Sequence, residues 1–222
     1  MELEAIKICG LSTPQDLEAV IVGGATHMGL IFFEKSPRHV DLETAEALSK
    51  IAKGRVKRVA VSVNASAEYL DEIVTRVQPD MLQLHGSESP EWMAELKAKY
   101  GLPLIKALAI HEVNDLEKIA PYSDVADLFL FDAKPPKGSD LPGGNGVAFD
   151  WQIMDQLPEN VPYMLSGGLN IDNIGVALEQ SGAGAIDISS GVESSPGQKD
   201  IGMIEAFLNL TTNTGSKEKA RA

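Results

Sequence analysis

Leu128-Phe129-Leu130-Phe131-Asp132-Ala133-Lys134-Pro135-Pro136-Lys137-Gly138, running on through Gly143-Gly144-Asn145-Gly146 to Phe149-Asp150-Trp151, is the stretch that decides the fold. An apolar run of strand length ends on a carboxylate, and a loop rich in Gly and Pro follows it. Such residues extend neither a strand nor a helix, so the run stops at Asp132. In a closed parallel barrel, the C-terminal end of a strand is where the chemistry is placed. Asp is also common at turns, where its side chain caps its own backbone. Asp132 is thus a turn residue or an active-site carboxylate, and the other strands must weigh between the two.

The same pattern recurs on both sides of this stretch. Short apolar runs at 5–9, 27–33, 58–64, 81–85, 104–110, 128–132, 162–167 and 185–189 read as strands. Each is followed by a helix-compatible segment: 13–23, 41–52, 67–77, 90–99, 113–120, 150–157, 171–181 and 201–209. Thr13, with Pro14 behind it, and Asp41 are well-placed N-caps, and Ser89 precedes the fourth segment. Strands alternating with helices imply a parallel sheet. Eight units of roughly 26 residues each suit a (β/α)8 TIM barrel, of the α/β class, as a single domain. An open doubly wound sheet would carry a Gly-rich phosphate turn after its first strand, and Cys9-Gly10-Leu11-Ser12 is not one. The barrel is expected over residues 1–210, with 211–222 a polar, Lys-rich, disordered tail.

Side chains alternate along a strand with a period of two. Ile6 and Ile8 oppose Lys7 and Cys9; Leu82 and Leu84 oppose Gln83 and His85. Phe129 and Phe131 oppose Leu130 and Asp132; Ile186 and Ile188 oppose Asp187 and Ser189. In the third strand Val59, Val61 and Val63 oppose Ala60, Ser62 and Asn64. The first-named set of each is expected against the helices. The second turns polar toward the C-terminal end, which would build one polar mouth.

Composition narrows the function. The chain has 222 residues, 44% of them hydrophobic, enough for one sizeable core. No run approaches the roughly 18–20 consecutive apolar residues of a membrane helix, and the N-terminus does not resemble a secretory signal. A formal net charge of −13 repels phosphate backbones, which argues against nucleic acid as a partner. Any anion must then be held by a local site. One cysteine excludes an internal disulfide and a multi-thiolate metal site, and the four histidines show no ligand-like pairing. A cytoplasmic, metal-free protein is expected.

Three groups stand out at the strand ends. Cys9 shares a face with Lys7, whose ammonium would favour a thiolate; a lone cysteine is equally a small core hydrophobe. Burial opposes the charge, and the charge is expected to win at a wet mouth. Ser166-Gly167-Gly168-Leu169 and Ser189-Ser190-Gly191 follow strands seven and eight, where barrels often bind phosphate, though each is also an ordinary turn. Arg38, behind Ser36-Pro37, is either a carboxylate clamp or a solvated loop charge.

Taken in order, Lys7-Ile8-Cys9-Gly10, Phe33 with Ser36-Pro37-Arg38, Gln83-Leu84-His85-Gly86, Phe131-Asp132, Gly143-Gly144 with Gly146, Phe149-Asp150-Trp151, and Ser189-Ser190-Gly191-Val192-Glu193 through Pro196-Gly197 and Lys199-Asp200 cease to be generic. Together they resemble the phosphoribosylanthranilate isomerases of tryptophan biosynthesis, over nearly the whole chain. Asn145 departs from the Thr usual there, and Asn170-Ile171-Asp172-Asn173 from a Pro-containing turn.

The resemblance implies an Amadori rearrangement of N-(5-phosphoribosyl)anthranilate to 1-(2-carboxyphenylamino)-1-deoxyribulose 5-phosphate, with no cofactor or metal. It makes Asp132 the general acid and Cys9 the base. It puts Arg38 on the anthranilate carboxylate, and Gly167, Gly168, Ser189, Ser190 and Gly191 around the phosphate. Lys7, His85 and Asp187 complete the implied substrate site. An acid must keep its proton near neutral pH, which burial of Asp132 would favour. A monomer or homodimer acting on a phosphorylated small molecule is expected, without nucleic-acid or membrane partners. Two rivals remain. A related isomerase of histidine biosynthesis would need aspartates on strands one and five, where this chain has Cys9 and Lys106. A non-catalytic ligand-binding barrel would have no need of both Cys9 and Asp132.

Overall fold

The computed structural model describes residues 3–133 and 148–212. The Gly-rich loop, Asn145 included, and residues 213–222 fall outside that range. Eight strands form one closed parallel barrel in sequence order: β1 (Ala5–Cys9), β2 (His27–Phe32), β3 (Lys57–Ser62), β4 (Met81–Leu84), β5 (Leu104–Ile110), β6 (Leu128–Ala133), β7 (Tyr163–Leu165) and β8 (Ala185–Ile188). β1 closes the ring on β8, with Lys7 opposite Asp187. Beyond β8, the short strands β9 (Glu193–Ser195) and β10 (Gln198–Lys199) pair as an antiparallel hairpin.

The expected caps form at Thr13, Asp41 and Ser89, and Ser66 adds a fourth. Thr13, Asp41, Ser66 and Ser89 accept the backbone N–H three residues on, at the heads of α1 (Pro14–Val22), α2 (Leu42–Ala52), α3 (Ala67–Val77) and α4 (Pro90–Tyr100). Each satisfies a donor the first helical turn leaves unpaired. α5 (Ile174–Ser181) and α6 (Ile201–Thr212) complete the set.

Three expectations need correction. The segments after β5 and β6 are 3₁₀ turns, Val113–Tyr122 and Trp151–Gln156. Pro121 lacks an N–H to donate in the first, and six residues allow only two turns in the second. α5 starts at Ile174 rather than 171, because Asn170 and Asn173 knot the preceding loop. The final helix runs on to Thr212, with Thr211 buried, so the tail does not begin at 211.

The core has two layers. Ile6, Ile8, Leu82, Leu84, Phe129, Phe131, Ile186 and Ile188 face the helices, as their alternation implied. Cys9, Val59, Val61, Ile105, Ala107, Leu130, Met164 and Ala185 fill the barrel interior. β3 therefore faces the other way from its expected orientation: the valines point inward and Ala60 joins the helix layer. Where both faces are apolar or small, alternation alone does not say which is inside.

Candidate active site

At the C-terminal mouth a pocket of about 690 Å³, counting the part open to solvent, is walled by Ile31, Phe33, Val61 and Val63 on one side. Its polar lining comes from the strand ends and the loops after them: Cys9 on β1, Arg38 beyond β2, Gln83 on β4 and His85 just after it, Asp132 on β6, and the loops after β7 and β8. Groups scattered over 180 residues of sequence meet because a parallel barrel brings every strand's C-terminal end to one rim.

Cys9 sits on the pocket floor, 5% exposed. Gly29 on β2 makes room for it: a Cβ there would lie 2.6 Å from Sγ. Lys7, fully buried one layer down, donates to Asp187 Oδ1 at 2.9 Å. Burial, the largest single influence, would push Lys7 down, but Asp187 and Cys9 together outweigh it and the ammonium is held above its ordinary range. For Cys9 burial is also the largest influence, and it raises the thiol. Lys7 pulls the other way, yet Asp187 offsets part of its charge. The expectation that the lysine would win at Cys9 is thereby reversed.

Asp132 is 4% exposed at the end of β6. Oδ1 accepts the N–H of Ala133 at 2.9 Å, and Oδ2 lies 3.4 Å from His85 Nε2. Phe131 points to the helix layer, so the carboxyl owes its burial to the pocket. Gly167, at φ 88°, clears the space beside it: a Cβ would meet Ala133 N and come within 3.0 Å of Asp132 Oδ1.

Arg38 is not a solvated loop charge. It is 5% exposed and its Nε–Nη2 edge lies on Glu193, at 2.8 and 2.9 Å. Glu193 also accepts from Lys199 at 2.6 Å and from the Gly197 N–H at 3.2 Å. Burial would raise the Glu193 carboxyl, but Arg38 and Lys199 together hold it below its usual range. Burial pulls the Lys199 ammonium down despite Glu193. Sequence reading missed Glu193 and Lys199 as members of the site, although both stood in its motifs.

Gly167, Gly168, Asp187, Ser189 and Ser190 line the pocket. Lys7 and Gly191 do not. Lys7 lies beneath Cys9, and Gly191 packs so closely on the Leu169 carbonyl that no Cβ fits. The asparagines that replace the expected proline turn hold this loop instead: Asn173 Nδ2 donates to the Gly168 carbonyl at 2.9 Å. Lys106, the strand-five residue a histidine-pathway site would use, faces the helix layer, where it pairs with Glu88 at 2.8 Å.

Known proteins share this sequence pattern and fold. The family model for N-(5'-phosphoribosyl)anthranilate (PRA) isomerase matches residues 6–210. The chain is 56% identical to the N-(5'-phosphoribosyl)anthranilate isomerase of Brucella canis, over 97% of each chain. It superposes, at TM-score 0.80 and 29% identity over 96% of this chain and 100% of the other, on a phosphoribosyl anthranilate isomerase in complex with reduced 1-(o-carboxyphenylamino)-1-deoxyribulose 5-phosphate. A structure of mutually generated monomers of the dimeric enzyme from Thermotoga maritima matches at TM-score 0.79 and 29% identity, with the same coverage. With Cys9 and Asp132 at the ends of β1 and β6 over one pocket, the chain belongs to the N-(5'-phosphoribosyl)anthranilate isomerase family.

Proposed function

We propose that the rearrangement of N-(5-phosphoribosyl)anthranilate to the 1-amino-1-deoxyketose, the reaction of this family, runs on this chain with Asp132 as general acid and Cys9 as base. The observation that carries the assignment is the joint presence of a buried carboxyl and a buried thiol in one pocket, on different strands. Asp132 gives a proton to the ribose ring oxygen. The bond from that oxygen to the first carbon breaks, its electrons staying on oxygen, and the nitrogen lone pair forms an iminium. Cys9, as thiolate, takes the proton from the second carbon. The electrons released neutralise the iminium, and the resulting enolamine tautomerises to the ketone. Burial disfavours the thiolate in the empty site, and the positive iminium favours it in the complex.

The substrate carboxylate is received by Arg38, whose Nε–Nη2 edge is held by Glu193. Its phosphate lies between Gly167–Gly168 and Ser189–Ser190, where backbone donors offset the acidic surface. Every group assigned here comes from one chain, which suits a monomer or a homodimer. A cytoplasmic enzyme acting on a phosphorylated small molecule, without nucleic-acid or membrane partners, accords with the net charge of −13.

Purified protein supplied with phosphoribosylanthranilate should consume it, read as loss of anthranilate-type fluorescence, and inorganic phosphate should compete. Cys9→Ala and Asp132→Asn should each lose roughly 10²–10⁴-fold in kcat. Near-full activity of either variant would remove that residue from its role.

A further inference from the structure

His85 lies deeper in the machinery than a substrate contact would need. Gln83 on β4 and His85 just after it, two residues apart, both face the pocket. His85 Nε2 is 3.4 Å from Asp132 Oδ2, and its Nδ1 is 3.1 Å from Gln83 Nε2. Since Ala133 occupies Oδ1, Oδ2 is the oxygen placed to gain or lose a proton. The ring stands on a fixed base. The His85 N–H bonds the Ser62 carbonyl at 2.8 Å, the Gly86 N–H bonds the Glu88 carboxylate, and the Gly86 carbonyl accepts from Lys106 at 2.7 Å.

We propose that His85 is a positioning residue for the general acid, holding and resupplying the proton of Asp132, with Gln83 deciding which ring nitrogen carries hydrogen. The proposal rests on the reading of Asp132 as the acid. With Gln83 Nε2 donating to Nδ1, the neutral ring carries its hydrogen on Nε2 and offers it to an ionised Asp132. Gln83 Oε1 is then buried without a partner. Turning the amide over lets Oε1 accept from an Nδ1–H, which leaves Nε2 bare to accept the O–H of a protonated Asp132. These two hydrogen-bonded arrangements differ by one proton, as the acid does before and after it acts. Recharging balances: solvent protonates Nδ1, the proton on Nε2 passes to Oδ2, and the ring is again neutral. Among the described residues, the other ionisable groups lining the pocket are Cys9, Arg38 and Asp187; the Lys106–Glu88 pair lies behind β4, toward the helices.

The test compares the full-length wild type with His85→Gln, Gln83→Leu and Asp132→Asn, by steady-state kinetics from pH 5 to 9 and by 15N NMR of the imidazole at pH 8. His85→Gln should lower kcat roughly 10- to 100-fold with KM within about threefold, and should change the shape of the kcat–pH profile. In the free wild type one tautomer should dominate, Nδ1–H where Asp132 holds its proton and Nε2–H where it has lost it, and Gln83→Leu should mix the two. A His85→Gln enzyme with normal kcat and pH profile, or altered in KM alone, overturns the proposal. So does a tautomer balance indifferent to Gln83→Leu. Asp132→Asn separates the two levels: if it stays active the acid assignment itself fails, and if it is inactive while His85→Gln is normal, only the role of His85 fails.

Discussion

Arg38 and Glu193, 155 residues apart in the chain, meet edge to edge, with Nε–Oε1 at 2.8 Å and Nη2–Oε2 at 2.9 Å and both side chains buried. The pair ties the loop after β2 to the β9–β10 hairpin, and Lys199 completes it from below. A guanidinium gripped along one edge keeps a fixed plane, which is what a second carboxylate needs for recognition.

Glu193→Gln keeps the shape but leaves two buried cations facing a neutral amide. Removing one partner of a buried pair costs about 3–5 kcal/mol, so unfolding in urea should begin at lower concentration. The loosened Arg38 should raise KM roughly tenfold with little change in kcat, because a carboxylate contact is made in ground and transition states alike. An unchanged KM would detach Arg38 from substrate.

Burial outweighs Lys7 at Cys9. Alkylation of Cys9 by iodoacetamide should therefore titrate at higher pH than a model thiol, and a substrate analogue should protect it. Lys7→Met removes the cation and leaves Asp187 alone beneath the thiol, so it should move the titration higher still and slow turnover. A titration below that of the model thiol would show that the lysine prevails after all.

Gly29 has a packing duty that substitution exposes. A methyl 2.6 Å from Cys9 Sγ must displace the sulfur. Gly29→Ala should cost about 1–3 kcal/mol in stability by overpacking, and lower kcat more than it raises KM. Wild-type kcat in this variant would mean that the position of the sulfur is not critical.

His27, at the lower end of β2, is held neutral, its pKa lowered to about 4 chiefly by burial and then by Lys7 and Lys57. The unfolded chain, with an ordinary histidine, binds a proton below about pH 6.5. Between there and about 4 the unfolded state carries more protons, so stability falls as the pH falls. Allowing for partial exposure, the loss is on the order of 1–3 kcal/mol. His27→Gln should flatten this part of the stability–pH curve in urea titrations at fixed temperature. Parallel curves for the two proteins would contradict it.

Sequence alone determined the number and order of the eight barrel strands, the capped helices and the barrel class. These rest on local physics: a period of two, Ser, Thr and Asp before helices, and Gly and Pro where chain direction must change. It also singled out Cys9, Asp132, Arg38 and the two glycine loops, because strand-end residues of a barrel gather at one rim. Tertiary structure decided the rest. The inward face of β3 depended on its neighbours, since Val59–Val61 and Ala60–Ser62 offer no polar contrast to orient it. The thiol's proton affinity depended on how deeply Cys9 is buried and on Asp187, which lies 180 residues beyond Lys7 and shares its charge. The hold on Arg38 came from Glu193, and the contact of His85 with Asp132 from the spacing of β4 and β6 around the ring. Contacts across such separations leave no periodic trace in a sequence, because the strands are brought together only when the barrel closes.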